Sequence, residues 1–201
     1  GDIDMLTIIK AYLKEKYNKP GNVYLGLVHR LDRPVGGVMV FAKTSKSAGR
    51  LSNQVREKQF QKTYLVIVNG KMENQKGTLQ DYLLKNEKTN ISKVVKEGTK
   101  NSKLAILDYE VLKYDEELNL SVLKINLHTG RHHQIRVQLS SRNHSIYGDQ
   151  KYAGRGHGKQ IALWAYNLKF YHPISNELME FEAMPEMVGS WAILKENCSI
   201  S

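Results

Sequence analysis

Cysteine is almost missing from this chain, with one residue, Cys198, in 201. That excludes an internal disulfide and a cysteine-based zinc site together, and it sets the default expectation of a reducing, cytoplasmic setting. Proline is scarce at four residues, and no stretch combines Pro, Gly and Ser as a flexible linker does. Long apolar runs are lacking too: none approaches the roughly 18 consecutive apolar residues that a spanning helix needs. The opening segment, residues 1–17, is acidic at its start and amphipathic afterwards, unlike the basic-then-apolar order of a secretory signal. Collagen, coiled coil, helical membrane protein and secreted knot are all excluded as readings.

Acidic residues are also in deficit. Thirty Lys and Arg stand against twenty Asp and Glu, for a net charge of +10. The excess is concentrated: residues 29–71 carry nine basic and two acidic side chains, and residues 128–160 carry six and one. Two distant basic blocks describe either a solvated surface or a groove for a polyanion, because phosphate contacts need clustered Lys and Arg. Apolar residues make up 41%, enough for a sizeable core, and one catalytic-type domain over residues 1–201 is the simplest organisation.

Periodicity supplies the elements. Residues 3–17 read as a helix with Leu6, Ile9 and Leu13 on one buried face. GGVMVFAK (36–43) reads as a buried strand, and Thr44 or Ser45 could cap a helix running to about Lys58 with Ala48, Leu51 and Val55 inward. KTYLVIVNG (62–70) is a strong strand, and four more strand-like stretches fill 78–127. Thr129-Gly130 marks a turn, the RHHQIRVQLSSR that follows is helical in character, 162–170 is a strand, and Pro185 to about Glu196 is a short final helix. Adjoining strands with few helices between them predict an α+β fold with a mixed, mainly antiparallel central sheet and flanking helices.

Three phrases carry chemistry. His29-Arg30-Leu31-Asp32-Arg33 sets one carboxylate between two arginines, directly before Pro34 and Gly36-Gly37. Flanking cations favour the charged acid; the alternative is a salt bridge that holds a loop. A kinase catalytic loop is excluded, since a leucine interrupts His-Arg-Asp and neither a glycine-rich nucleotide loop nor Asp-Phe-Gly is present. In Thr129-Gly130-Arg131-His132-His133-Gln134-Ile135-Arg136, the paired histidines lack a further ligand at a metal-binding spacing. If that segment is helical, His132 shares a face with Arg136, and Arg131 with Ile135. The third phrase, Lys62-Thr63-Tyr64, heads a strand; its tyrosine reads as a core aromatic or as a ring that stacks on a nucleobase.

VHRLDRPVGGVMVFAKTSKSA resembles the first catalytic motif of the RluA family of RNA pseudouridine synthases. KTYLVIVNG resembles that family's Lys-x-Tyr strand, LHTGRHHQIRVQL with SIYGDQKY its Thr-Gly-Arg-x-His-Gln-Ile-Arg and Gly-Asp-x-x-Tyr motifs, and IALWAYNLKFYHP its closing strand. The four stand in the family's order from residue 24 to about 185. The resemblance implies isomerisation of uridine to pseudouridine in structured RNA, rRNA or tRNA, without metal or organic cofactor. It implies Asp32 as nucleophile, Arg136 as its partner, Tyr64 facing the target base and Ile135 walling the pocket. His29, Arg30, Arg33, Lys62, Arg131 and His133 are then expected around the substrate. Val35-Gly36-Gly37 replaces the usual hydroxyl-bearing sequence, while Gln138 and Trp164 stand where many members have histidine. The family's opening strand is not found, so the chain is expected to begin inside the domain. A monomer away from membranes completes the reading. Its rivals are a catalytically silent RNA-binding or RNA-remodelling protein that keeps the same cleft and, more remotely, a hydrolase using Asp32.

Overall fold

The computed structural model describes residues 3–154 and 160–195; Arg155 and Lys159 of the second basic block, Glu196 and Cys198 lie outside these. In chain order the elements are α1 (Met5–Lys16), β1 (Gly26–Leu27), β2 (Gly36–Gly37), β3 (Phe41–Ala42), α2 (Ser45–Arg56), β4 (Gln61–Asn69), β5 (Lys76–Asn86), β6 (Ile91–Val95), β7 (Lys103–Asp115), β8 (Leu120–Leu127), α3 (Gln134–Ser140), β9 (Leu163–Tyr171) and β10 (Leu178–Glu182), with a 3-10 helix at Gly189–Lys195. They fall into two compact units. The first comprises Gly1–Arg30, Met39–Phe60 and Lys169–Glu180; the second comprises Leu31–Val38, Gln61–Leu168 and Phe181–Ser201.

In the first unit, Asp4 caps α1 by accepting the Thr7 N–H at 2.9 Å, and Lys14 and Lys16 meet the negative end of the helix. Of its predicted inward face Leu13 is buried, while Leu6 and Ile9 are half-buried. The cap of α2 is Thr44, which accepts the Ser47 N–H at 3.1 Å. Leu51 points into the core, and buried Gln54 satisfies the backbone of Tyr171 from both sides, donating to its C=O at 2.8 Å and accepting its N–H at 2.9 Å.

In the second unit the sheet runs in the order β9-β4-β8-β7-β5-β6, with β9 counted as far as Leu168 and β2 added beside it; β10 follows β9 in the strand order. β4–β8, β8–β7, β7–β5 and β5–β6 are antiparallel and β2–β9 is parallel, so the sheet is mixed and mainly antiparallel, as the pattern predicts. Tyr64 through Val68 are all buried, the mark of a central strand covered on both faces. They join Leu107, Leu123, Ile125, Leu139 and Ile146 in one core.

Two expectations need correction. The single buried strand over 36–43 is instead two fragments: β2 lies along β9 in the second unit, β3 pairs with β1 in the first, and both are largely half-buried. The apolar run there is read twice, by two partners. Second, α3 begins at Gln134, not at Arg131, so helical spacing does not relate Arg131 to Ile135 or His132 to Arg136. The cause lies in the preceding turn. Gln134 Oε1 accepts the Thr129 hydroxyl at 2.8 Å and the Arg131 N–H at 3.0 Å, its amide donates to the Ile106 carbonyl at 3.0 Å, and Thr129 accepts the Ile106 N–H at 2.8 Å. The Thr-Gly-Arg turn is thus stapled to β7 before the helix starts. From Gln134 to Leu139 every residue of α3 is buried.

Candidate active site

Asp32 sits at the head of a turn closed by the Val35 N–H on the Asp32 carbonyl at 2.8 Å, with Pro34 fixing φ inside it. Its carboxylate is 29% exposed and reaches Arg136, 104 positions away, with Nη1 donating to Oδ2 at 3.0 Å. The two side chains therefore meet, as the motif order requires. The bidentate partner of the guanidinium, however, is not Asp32. It is Asp149, which accepts from Nε at 2.8 Å and from Nη2 at 2.7 Å. Arg136 spends its rigid fork on a wholly buried carboxylate and offers its remaining edge to Asp32.

Asp149 is itself fixed, since Oδ1 also accepts the N–H groups of Lys151 and Tyr152, at 2.9 and 3.2 Å. Gly148 makes that turn possible. Its φ is +76°, and a Cβ there would lie 2.1 Å from the Gln160 carbonyl oxygen. Burial draws the Arg136 pKa down, but the hydrogen bonds and charges of Asp149 and Asp32 outweigh it and the net direction is upward. Arg136 is a permanent, immobile cation.

Tyr64, on β4 opposite Ile125, is 9% exposed. Burial first, and the Asp32 charge second, push its phenol up to about 12. Its proton stays on at neutral pH, so the hydroxyl can donate but is a poor acceptor for a proton released in a reaction. Ile135 is buried in the same core cluster as Tyr64. Lys62, at the head of β4, is half-buried, and burial lowers its pKa. Arg131 donates from Nε to the Leu104 carbonyl at 2.8 Å, a main-chain tie between its turn and β7. Arg33 is exposed. His29 and Arg30 belong to the first unit, where Arg30 is exposed and His29 Nε2 accepts the Val40 N–H at 3.1 Å, with its ring edge-on to Phe60.

His133 is buried and approaches Asp32, Nε2 to Oδ2 at 3.6 Å. Its Nδ1 is 2.9 Å from the Tyr152 hydroxyl, and its ring stacks on His132 with centroids 3.7 Å apart. Burial pushes its pKa down to about 4, with Arg136, His132 and Lys151 adding to the effect and Asp32 opposing it. The contact with Asp32 is accordingly between a neutral ring and a carboxylate, not an ion pair. Among the described residues, no group of three or more His, Cys, Asp or Glu side chains is placed to hold a metal ion.

Two of the substitutions at the motif edges, Gly36 and Trp164, meet one another. β2 runs in register with β9, Gly36 opposite Trp164. A Cβ on Gly36 would lie 2.3 Å from the Trp164 ring, whose Nε1 is held by the Ala183 carbonyl at 2.7 Å. The glycine accommodates the tryptophan. Gln138 is fully buried, its amide donating to Asp81 at 2.7 Å and to the Leu79 carbonyl at 3.2 Å, which ties α3 to β5.

Sequence reasoning quoted Gly148-Asp149 and Tyr152 as motif letters without giving either side chain a role. The signal was present. Asp149 is the lone acid among six basic residues in 128–160, the same imbalance that singles out Asp32. Ser92, whose N–H binds the Tyr152 hydroxyl at 2.8 Å, carried no such mark.

A family model described as RNA pseudouridylate synthase matches residues 10–141. An uncharacterized RNA pseudouridine synthase of Aquifex aeolicus is 35% identical over 167 residues, 78% of this chain and 52% of that protein. The ribosomal large subunit pseudouridine synthase C of Haemophilus influenzae is 32% identical over 82% of this chain and 53% of its own length. The chain thus spans about half the length of these two relatives. A tRNA pseudouridine synthase C of the same organism is 32% identical over 78% of this chain and 72% of its own. Among solved structures, Human RNA Pseudouridylate Synthase Domain Containing 4 superposes with a TM-score of 0.77 at 20% identity, covering 93% of this chain and 81% of that one. Human RNA Pseudouridylate Synthase Domain Containing 1 gives 0.75 at 23%, covering 94% and 79%; both likenesses concern the fold. The matched span runs from α1 through α3 and so takes in Asp32, Tyr64 and Arg136, and on that span this chain belongs to the RNA pseudouridylate synthase family.

Proposed function

We propose that the chain converts uridine to pseudouridine in structured RNA, rRNA or tRNA, with Asp32 as the nucleophile. The observation that carries this reading is the Asp149–Arg136–Asp32 chain of contacts, which aims one partly exposed carboxylate with a cation that cannot lose its proton. The reaction is an isomerisation. The N1–C1′ bond breaks, the uracil turns, C5 bonds to C1′, C5 gives up its proton and N1 takes one up. Cleavage develops positive charge at the sugar, which a carboxylate can stabilise or capture. Asp32 can attack C1′, attack C6 of the base, or remove the 2′ proton in a glycal route; all three need the same ionised, oriented group. Tyr64, held protonated, serves the base as a ring and a donor. Its limited exposure suits a contact made after the uridine has been flipped out of its stack.

The remaining elements of the proposal follow from the same reading. RNA is the partner, Lys62, Arg33 and Arg30 contribute substrate contacts, the chemistry requires neither metal nor organic cofactor, and the chain acts as one catalytic domain, monomeric and cytoplasmic. No helix among the described residues is long and apolar enough to cross a membrane.

The test pairs two readings on one variant. Asp32→Asn keeps the side chain's shape and removes its charge. Pseudouridine in rRNA and tRNA incubated with the protein is expected to become undetectable, while the thermal midpoint stays within a few degrees. Retained yield in folded protein rejects Asp32 as the nucleophile.

A further inference from the structure

His133 occupies a backbone that its position does not explain. It stands at φ 53°, ψ 26°, in the left-handed region, at the N-cap of α3, yet its side chain makes no cap hydrogen bond. Asn or Gly fills such a position with less strain. What the imidazole has instead is two neighbours in line. The Tyr152 hydroxyl accepts the Ser92 N–H at 2.8 Å, which leaves its own proton for His133 Nδ1 at 2.9 Å. A neutral imidazole that accepts at Nδ1 carries its proton on Nε2, and Nε2 is the nitrogen that faces Asp32. The ring cannot swing away: His132 stacks on one face, Tyr152 stands edge-on at 5.6 Å, and the Ser92 hydroxyl ties His132 Nδ1 at 2.9 Å.

We infer that His133 is a positioning residue that donates its Nε2–H to Asp32 as RNA seats, with Tyr152 and the Ser92 backbone selecting the tautomer that allows it. The inference rests on the proposed reaction of Asp32. The 3.6 Å separation is beyond hydrogen-bond length, and contacts of this kind shorten in the substrate complex. Arg136 and His133 then both hold Oδ2, so that Oδ1 is left for the substrate. His133 then acts on Asp32 rather than as the substrate contact expected from the sequence.

Two substitutions separate the donor from the backbone. The amide nitrogen of a glutamine falls near the imidazole Nε2, whereas that of asparagine falls near Nδ1; yet asparagine suits a left-handed backbone better. With equal thermal midpoints, His133→Gln is expected to keep kcat within about 10-fold of the wild type and His133→Asn to lose roughly 100-fold, KM for RNA changing little in either. A purely structural His133 gives the opposite order. Independently of turnover, 15N spectra of histidine-labelled protein at neutral pH should show His133 as the Nε2–H tautomer. An Nδ1–H tautomer, or a glutamine variant no better than the asparagine one, overturns the inference. Wild-type protein that forms no pseudouridine in rRNA or tRNA rejects the underlying function instead, and the tautomer is still decided by the spectrum.

Discussion

A single guanidinium serves two carboxylates here, and the same substitution at each should differ in its effect on stability. Asp149 is fully buried and takes both prongs of Arg136 as well as two backbone N–H groups; Asp32 is partly exposed and takes one prong. Asp149→Asn leaves a buried cation short of a counter-ion, so we expect a loss of about 3 kcal/mol and a midpoint lower by roughly 5–10 °C. Turnover should fall as Arg136 loses its aim, whereas Asp32→Asn loses turnover with little change in melting. Arg136→Lys should cripple both, because an ammonium cannot span two carboxylates in one plane. Differential scanning calorimetry beside a pseudouridine assay separates the three. At this scale the sequence was informative where composition was uneven. Asp32, flanked by two arginines, stands out as a charged carboxylate, but its neighbours fit a loop salt bridge as well, and only the family resemblance makes it the expected nucleophile. The partner that grips Arg136 was not legible, because nothing in a linear chain says which of two distant acids takes the fork.

Among the elements, the strands were legible and the junctions were not. β4, β5, β7 and β8 announce themselves by long apolar runs or by alternation, and they lie where the pattern puts them. The stretch 36–43 deceived because its apolar residues serve two units, and the start of α3 was misplaced because Gln134 anchors the preceding turn by tertiary hydrogen bonds. The β2–β9 junction gives a prediction of its own. Gly36→Ala drives a methyl into the Trp164 ring and should cost about 1–3 kcal/mol by overpacking. Trp164→Ala removes the obstacle at a separate cost, so the double variant should be more stable than the two losses added together predict, by about 1–2 kcal/mol. Strict additivity in urea titrations would mean that the two positions do not press on one another. Since β2 follows the Asp32 turn directly, Gly36→Ala should also slow turnover more than its stability loss accounts for.

For the whole molecule the governing quantity is charge. The two basic blocks hold the motif phrases themselves, and a polyanion bound there releases counter-ions, so under the proposed function RNA affinity should fall steeply as salt rises. Lys43 and Lys46 are exposed and lie outside those phrases, Lys43 resting 5.0 Å from the Tyr17 ring centroid. Replacing both with alanine should make the plot of log affinity against log salt shallower by roughly 1–2 units. An unchanged slope, measured by filter binding, would put the RNA on another face. The fold class, by contrast, was fully legible, since neither its strand order nor its parallel β2–β9 pair alters what adjoining strands with few crossovers demand. That parallel pair has a further consequence, in the order of events during synthesis. Asp149 leaves the ribosome long after Asp32, and the strand against which β2 rests begins only at Leu163. Closing so long a loop comes late in folding. A nascent chain in which Asp32 has emerged and β9 has not therefore lacks the strand that β2 rests against, and until Asp149 has followed it also lacks the carboxylate that grips Arg136.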